Sequence, residues 1–262
     1  MRRPGHILIP GALALVLLIG AVNCRQSAGH KELMVLAAAS LSAAFDEIKT
    51  AFEAEHENLQ VIVSYGPSGA LARQIEKGVA ADIFASAGQP EMDRLEKLGL
   101  IASGSRFDYA GNELCLITRP GLSLRDWEDL TSPQIRFVGI GGRVAPVGDY
   151  ARALLKSREL LEKVSAKLIP GNDVRQVMDY LLRGEVDAAI VYRTDAALFA
   201  HTGKLTVSQA TAAPGDHPPI RYPIAAVKSS SSPEKARQFI AFVTGPEGQA
   251  ILSEKGFSRI DP

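Results

Sequence analysis

Short apolar runs alternate with stretches of helical spacing along nearly the whole chain, and small-residue turns separate them. No other feature constrains the fold as strongly. "KELMVLAAA" reads as a strand, and "SAAFDEIKTAFEAEH" after it sets Ala44, Phe45, Ile48 and Phe52 at a helix period. "LQVIVSY" predicts the next strand, and "SGALARQIEKG" a helix that stops at Gly78. "ADIFASAG" predicts a third strand, and "PEMDRLEKLGL" a helix opened by Pro90. Repeated β-α units imply a mostly parallel sheet covered by helices.

A second set begins near "ELCLITRPG". "IRFVGIGG", "AKLIPG" and "VDAAIVY" read as strands, with helices "VGDYARALLKSREL" and "DVRQVMDYLLRGE" between them. The polar, proline-rich "ATAAPGDHPP" then precedes a strand, "IRYPIAAV", and two helices, "SPEKARQFIAFVTG" and "PEGQAILSEKG". Two such sets in 262 residues predict an α/β protein of two lobes. Ligands of open α/β sheets sit at the carboxyl ends of strands, where helices begin.

The charge balance excludes some partners. Lys+Arg and Asp+Glu both number 29, so no basic field exists to attract nucleic acid. Arg2 and Arg3 precede the apolar "ILIPGALALVLLIGAV", which reads as a signal peptide over residues 1–24. Pro10 and Gly11 interrupt that run and argue against a permanent span. "GAVNC" resembles a lipoprotein signal, in which Cys24 would carry a lipid anchor. Ordinary cleavage between Asn23 and His30 is the alternative. Cys115, in the strand-like "ELCLIT", predicts a buried thiol, and two cysteines make no disulfide framework. His30, His56, His201 and His217 show no ligand spacing, so no cation site is expected. No Ser-His-Asp or Cys-His arrangement is legible, so no catalytic residue is assigned.

The turns between strands and helices carry the candidate chemistry. A helix start offers unpaired N–H groups and a positive dipole end, which together bind anions without a charged side chain. Ser40 closes an apolar run at such a start, and Ser68 in "YGPSGALARQI" repeats the pattern. Serine is also a preferred N-cap, and taken singly each reads as one. Val147 and Gly148 offer N–H groups at a third turn, Asp173 and Val174 at a fourth. Asp173 is expected to cap its helix. Tyr192 ends a strand, where a phenol either packs in the core or reaches a cleft.

"LAAASLSAAFDEI", "GPSGALARQIEKGVAADIFASA", "APVGDYARALL", "NDVRQVMDYLLRGEVDAAIVYRTDA" and "YPIAAV" occur in this order and together resemble the molybdate-binding proteins of bacterial ABC transporters. The resemblance covers nearly all of residues 32–260. It implies a two-lobed type II periplasmic binding protein, each lobe a mostly parallel sheet flanked by helices, with the ligand cleft between them. The expected limits are 31–109 plus 216–262 for lobe 1 and 110–215 for lobe 2. It implies capture of molybdate or tungstate by Ser40, Ser68, Tyr192 and the backbone N–H groups of Val147 and Val174. No cofactor, catalysis or nucleic acid is implied. The expected partner is the membrane permease of an ABC importer. The expected form is a monomer in the periplasm or at the outer face of the cytoplasmic membrane. Pro67, where many relatives carry Ser, Gly or Ala, removes one N–H, and Asp149 adds a negative charge beside the third turn. With no histidine expected in the site, affinity should be nearly flat between roughly pH 6 and 8. A receptor for another oxyanion such as sulfate is the alternative of the same class. An enzyme or sensor on the same fold is the alternative of another class.

Overall fold

The computed structural model describes residues 31–260. The expected signal peptide and Cys24 lie outside the described residues. The chain first lays down β1 (Lys31–Ala38), a 3-10 turn (Ala39–Leu41), α1 (Ser42–Ala54), β2 (Leu59–Gly66), α2 (Ser68–Glu76), β3 (Ile83–Ala85), α3 (Gln89–Lys97) and β4 (Phe107–Asn112). It crosses at Glu113 into β5 (Leu114–Thr118), β6 (Val138–Gly141), α4 (Pro146–Ser157), α5 (Leu161–Val164), β7 (Leu168–Gly171), α6 (Val174–Leu182), β8 (Ala188–Tyr192), α7 (Arg193–Ala197) and β9 (Thr206–Val207). It returns through residues 208–219 to β10 (Ile220–Ala226), α8 (Pro233–Thr244) and α9 (Pro246–Glu254).

Two five-stranded sheets result, ordered β2-β1-β3-β10-β4 and β7-β6-β8-β5-β9. The β-α units pair in parallel as expected: β1 with β2 and β3, β6 with β7 and β8. Each sheet also carries one strand that runs against its neighbours. β10 is antiparallel to β3 and β4, and β5 to β8 and β9. Both reversed strands follow a crossing from the other sheet, so no helix crossover dictates their direction. The first crossing falls after β4, which runs through the lobe limit expected at 109/110.

The helices form where the apolar period lets them cover a sheet. On α1, Ala44, Phe45, Ile48 and Phe52 are buried. Phe52 meets Phe239 and Phe242 of α8 edge-on, at centroid distances of 5.0 and 5.5 Å. Such pairs contribute about 0.5–1.5 kcal/mol beyond area burial. Gly78, at φ +81°, ends α2 in the left-handed region that glycine adopts without strain. On α6, Val174, Val177, Met178 and Leu181 face the second sheet. Trp127 is fully buried beside that sheet, and its indole N–H donates to Thr211 O at 3.0 Å, which ties down the return crossing. Cys115 is a free, buried thiol, as its setting predicts, and burial pushes its pKa up to about 11.

Candidate functional site

The carboxyl ends of β1, β2 and β8 meet the first turns of α4 and α6 around one small cavity. Ser40, Ser68, Val147, Val174 and Tyr192 all line it, together with Gly66, Pro67, Ala87 and Asp173. It encloses about 20 Å³. Roughly 10–15 Å³ on this measure admits one water, so the space suits a single small polar species.

The lobes touch around the cavity. The Gly69 N–H at the start of α2 donates to Val144 O, 3.0 Å away on the opposite lobe. A Cβ on Gly69 would lie 2.9 Å from that oxygen, and one on Gly88 would lie 2.9 Å from Pro146 Cβ. Arg175 of α6 sits over the Tyr65 ring of β2, 5.1 Å from its centroid. Small residues let the two backbones meet, and the cleft is closed.

Neither serine is a cap. The N-cap positions of α1 and α2 belong to Leu41 and Pro67, and no side chain caps either helix. Ser68 Oγ accepts the Ala87 N–H at 3.0 Å, which leaves its own proton for the cavity. Ser40 Oγ lies 3.2 Å from the Tyr222 hydroxyl. The Tyr192 hydroxyl is buried beside the Tyr222 hydroxyl but makes no well-formed hydrogen bond within the protein, so an arriving acceptor would satisfy it. Burial and the neighbouring Tyr222 hold its pKa well above the usual range, so it remains a donor. Val147 and Val174 lie in the first turns of α4 and α6, where N–H groups have no intrahelical acceptor. Asp173 caps α6 as predicted, accepting the Gln176 N–H at 3.0 Å.

No lysine, arginine or histidine lines the cavity. What it offers an anion are helix starts and oriented N–H groups, with the Asp173 carboxylate turned to the cap of its own helix. Pro67 stands at the wall without an N–H to give, and its carbonyl accepts from Ala70 and Leu71. Asp149 is exposed on α4 and does not line the cavity; its charge faces Arg152 and Arg143. Among the described residues, no group of three or more His, Cys, Asp or Glu stands where it could hold a cation.

Three nearby residues escape sequence reasoning: Asn112, Tyr222 and Asp195. The Asn112 amide donates to Thr194 Oγ1 at 2.9 Å and to the Tyr222 hydroxyl at 3.2 Å. Asp195 is buried on α7, and its Oδ2 has no hydrogen-bond partner. Burial lifts its pKa to about 8, against the pull of Arg175 and with a further push from Asp173. A neutral acid at that place adds no negative charge behind the cavity. The motifs "IVYRTDA" and "YPIAAV" contain Asp195 and Tyr222, but nothing in their spacing marks them as neighbours.

The family model described as bacterial extracellular solute-binding protein matches residues 33–258. The chain belongs to this family. As a solute-binding protein it is an extracytoplasmic transport carrier and not an enzyme. The solute-binding protein is 32% identical over 265 residues to the molybdate-binding protein ModA of Mycobacterium tuberculosis, an alignment covering 96% of this chain and 98% of the relative. It is 26% identical to a sulfate-binding protein of Synechococcus elongatus, across 94% of this chain and 80% of the relative. Its structure superposes on the periplasmic molybdate-binding protein of Azotobacter vinelandii with a TM-score of 0.79 and 25% identity, covering 87% of this chain and all of the other. The solute-binding protein therefore has the type II periplasmic fold: two mixed-sheet lobes flanked by helices.

Proposed function

We propose that this protein captures molybdate and tungstate and delivers them to the membrane permease of an ABC importer. The observation that carries the reading is the donor set. The Ser68 and Tyr192 hydroxyls, the Ser40 hydroxyl and the first-turn N–H groups of Val147 and Val174 surround one cavity without a cation. A small dianion with acceptor oxygens satisfies every one of them. Charge-assisted bonds to such an ion are stronger than neutral ones, and a closed cleft offsets the water stripped from it. Cleft closure around the ion is the signal to the permease. The protein acts as a monomer, with lobe limits after Asn112 and before Ile220, and is exported by its signal peptide with either a lipid anchor at Cys24 or ordinary cleavage.

Molybdate and tungstate are nearly equal in size and sulfate is smaller, so a rigid ring of donors treats the first two alike. Similarity to a molybdate-binding relative at 32% identity supports this choice. The similarity to a sulfate-binding protein at 26% favours sulfate as the second reading. Calorimetric titration of the mature protein with molybdate, tungstate, sulfate and phosphate separates them. Tight, similar binding of molybdate and tungstate with far weaker sulfate is expected. Sulfate binding equal to or tighter than molybdate binding replaces the first reading with the second.

A further inference from the structure

We propose that Asn112 is a positioning residue for the anion site: through Tyr222 it fixes the direction in which Ser40 offers its proton. The proposal rests on the oxyanion reading above. Asn112 is the last residue of β4, at the crossing between the sheets. Its Oδ1 accepts the Glu113 backbone N–H at 2.9 Å. A backbone N–H can only donate, so this bond decides which end of the amide is oxygen. The Nδ2 end therefore faces Thr194 Oγ1 at 2.9 Å and the Tyr222 hydroxyl at 3.2 Å.

The Tyr222 hydroxyl accepts from Asn112 and has one proton to give. Its other hydrogen-bond partner is Ser40 Oγ, at 3.2 Å; the Tyr192 hydroxyl stands close by but without hydrogen-bond geometry. Donation there makes Ser40 an acceptor on that side and leaves the Ser40 proton for the cavity. Ser40, Asn112, Thr194 and Tyr222 are all buried, so bulk water does not compete for these bonds. Burial also keeps the Tyr222 phenol protonated far above neutral pH. The amide joins both lobes, because Tyr222 belongs to β10 of the first sheet and Thr194 to α7 behind the second.

Asn112→Asp is nearly isosteric and tests the direction of the relay. A carboxylate only accepts, so Tyr222 donates to it, and Ser40 turns its proton toward Tyr222 and away from the cavity. Molybdate binding, read by calorimetry, is expected to weaken about tenfold or more, the scale of a lost bond to a charged group. A new negative charge would also repel the anion, so the same change is made in a Tyr222→Phe background, where the relay is already cut. There it is expected to weaken binding by no more than about twofold, a non-additivity that reports coupling. Equal losses in both backgrounds mean simple repulsion and overturn the proposal.

Tyr222→Phe keeps the ring and serves if the aspartate variant melts early. It should weaken binding in the parent and not further in Ser40→Ala; an equal loss in both overturns the proposal. A parent protein that binds no molybdate, tungstate or sulfate overturns the oxyanion reading and this proposal with it. A parent that binds, with additive cycles, overturns this proposal alone.

Discussion

Ser40 and Ser68 stand on one wall of the cavity, and Val147 and Val174 stand on the other. The first wall presents hydroxyls, whose direction is set by third groups: Tyr222 for Ser40 and the Ala87 N–H for Ser68. The second wall presents one hydroxyl, that of Tyr192 on β8, and main-chain N–H groups, whose direction is set by the helix that each one opens. A hydroxyl rotates, so it needs a neighbour to aim it. An amide at a helix start is aimed by covalent geometry and strengthened by the dipole. The first wall should therefore be sensitive to side-chain chemistry, and the second to backbone shape.

The largest effect is expected where the two walls meet. Gly69→Ala puts a Cβ 2.9 Å from Val144 O, a backbone atom of the opposite lobe. The contact relaxes only if the cleft opens. Affinity for molybdate should fall by the top of the ~1–3 kcal/mol range for overpacking, while the melting temperature without ligand barely moves. Unchanged affinity would mean that the closed contact is not needed for binding.

Removing hydroxyls from the first wall comes next. Ser40→Ala and Ser68→Ala should each weaken binding by about 1–3 kcal/mol. Neither is a cap, so helix stability should change little. A fall in melting temperature with intact affinity would reduce both to packing residues.

Asp195 sharpens the comparison through pH. Its folded pKa of about 8 lies above an unfolded value near ~3.9. Between those values the folded state holds a proton that the unfolded chain has released. Stability must then fall as pH rises through this window, by at most about 1.4 kcal/mol per pH unit from this group. Asp195→Asn should flatten that slope and raise stability at neutral pH. Above pH 8 the parent carboxylate ionises behind the site, so its anion affinity should drop while that of Asp195→Asn holds. A flat parent profile up to pH 9 would contradict the assignment. The flat affinity expected between pH 6 and 8 from the lack of histidine thus has an upper edge set by this residue.

The smallest effect on binding is expected for the valine side chains of the second wall. Val147→Ala and Val174→Ala keep the N–H and should leave affinity within about 0.5 kcal/mol, the range of neutral substitutions. Both side chains are buried, so stability should fall by roughly 0.8 kcal/mol per lost methyl-sized group. Affinity losses as large as those of the serines would erase the distinction between the walls.

The second wall was also the more legible in the sequence. A cap such as Asp173 and the helix period after it are local, so the first turn of α6 could be placed from a dozen residues. Ser40 could be placed equally well, and the resemblance gave it a role, but what aims its hydroxyl could not be read. Its partner Tyr222 lies 182 residues further on, on a strand that reaches the first sheet only after the second crossing. The same gap hid the reversed directions of β5 and β10, because periodicity reports which face is buried and not which way a strand runs. β4 gives no clear strand signal, because "FDYAGN" alternates weakly and ends in two turn-forming residues. Asp195 sits on α7, too short for a periodic signal, and its burial is a tertiary fact.

The position of the bound ion tests the account most directly. Crystals of the mature protein grown with tungstate would show the metal by its anomalous scattering. One peak is expected in the cavity, with ion oxygens within hydrogen-bond reach of Ser40 Oγ, Ser68 Oγ, the Tyr192 hydroxyl and the N–H groups of Val147 and Val174. A strong peak elsewhere, beside exposed arginines or lysines and with this cavity empty, would contradict the account.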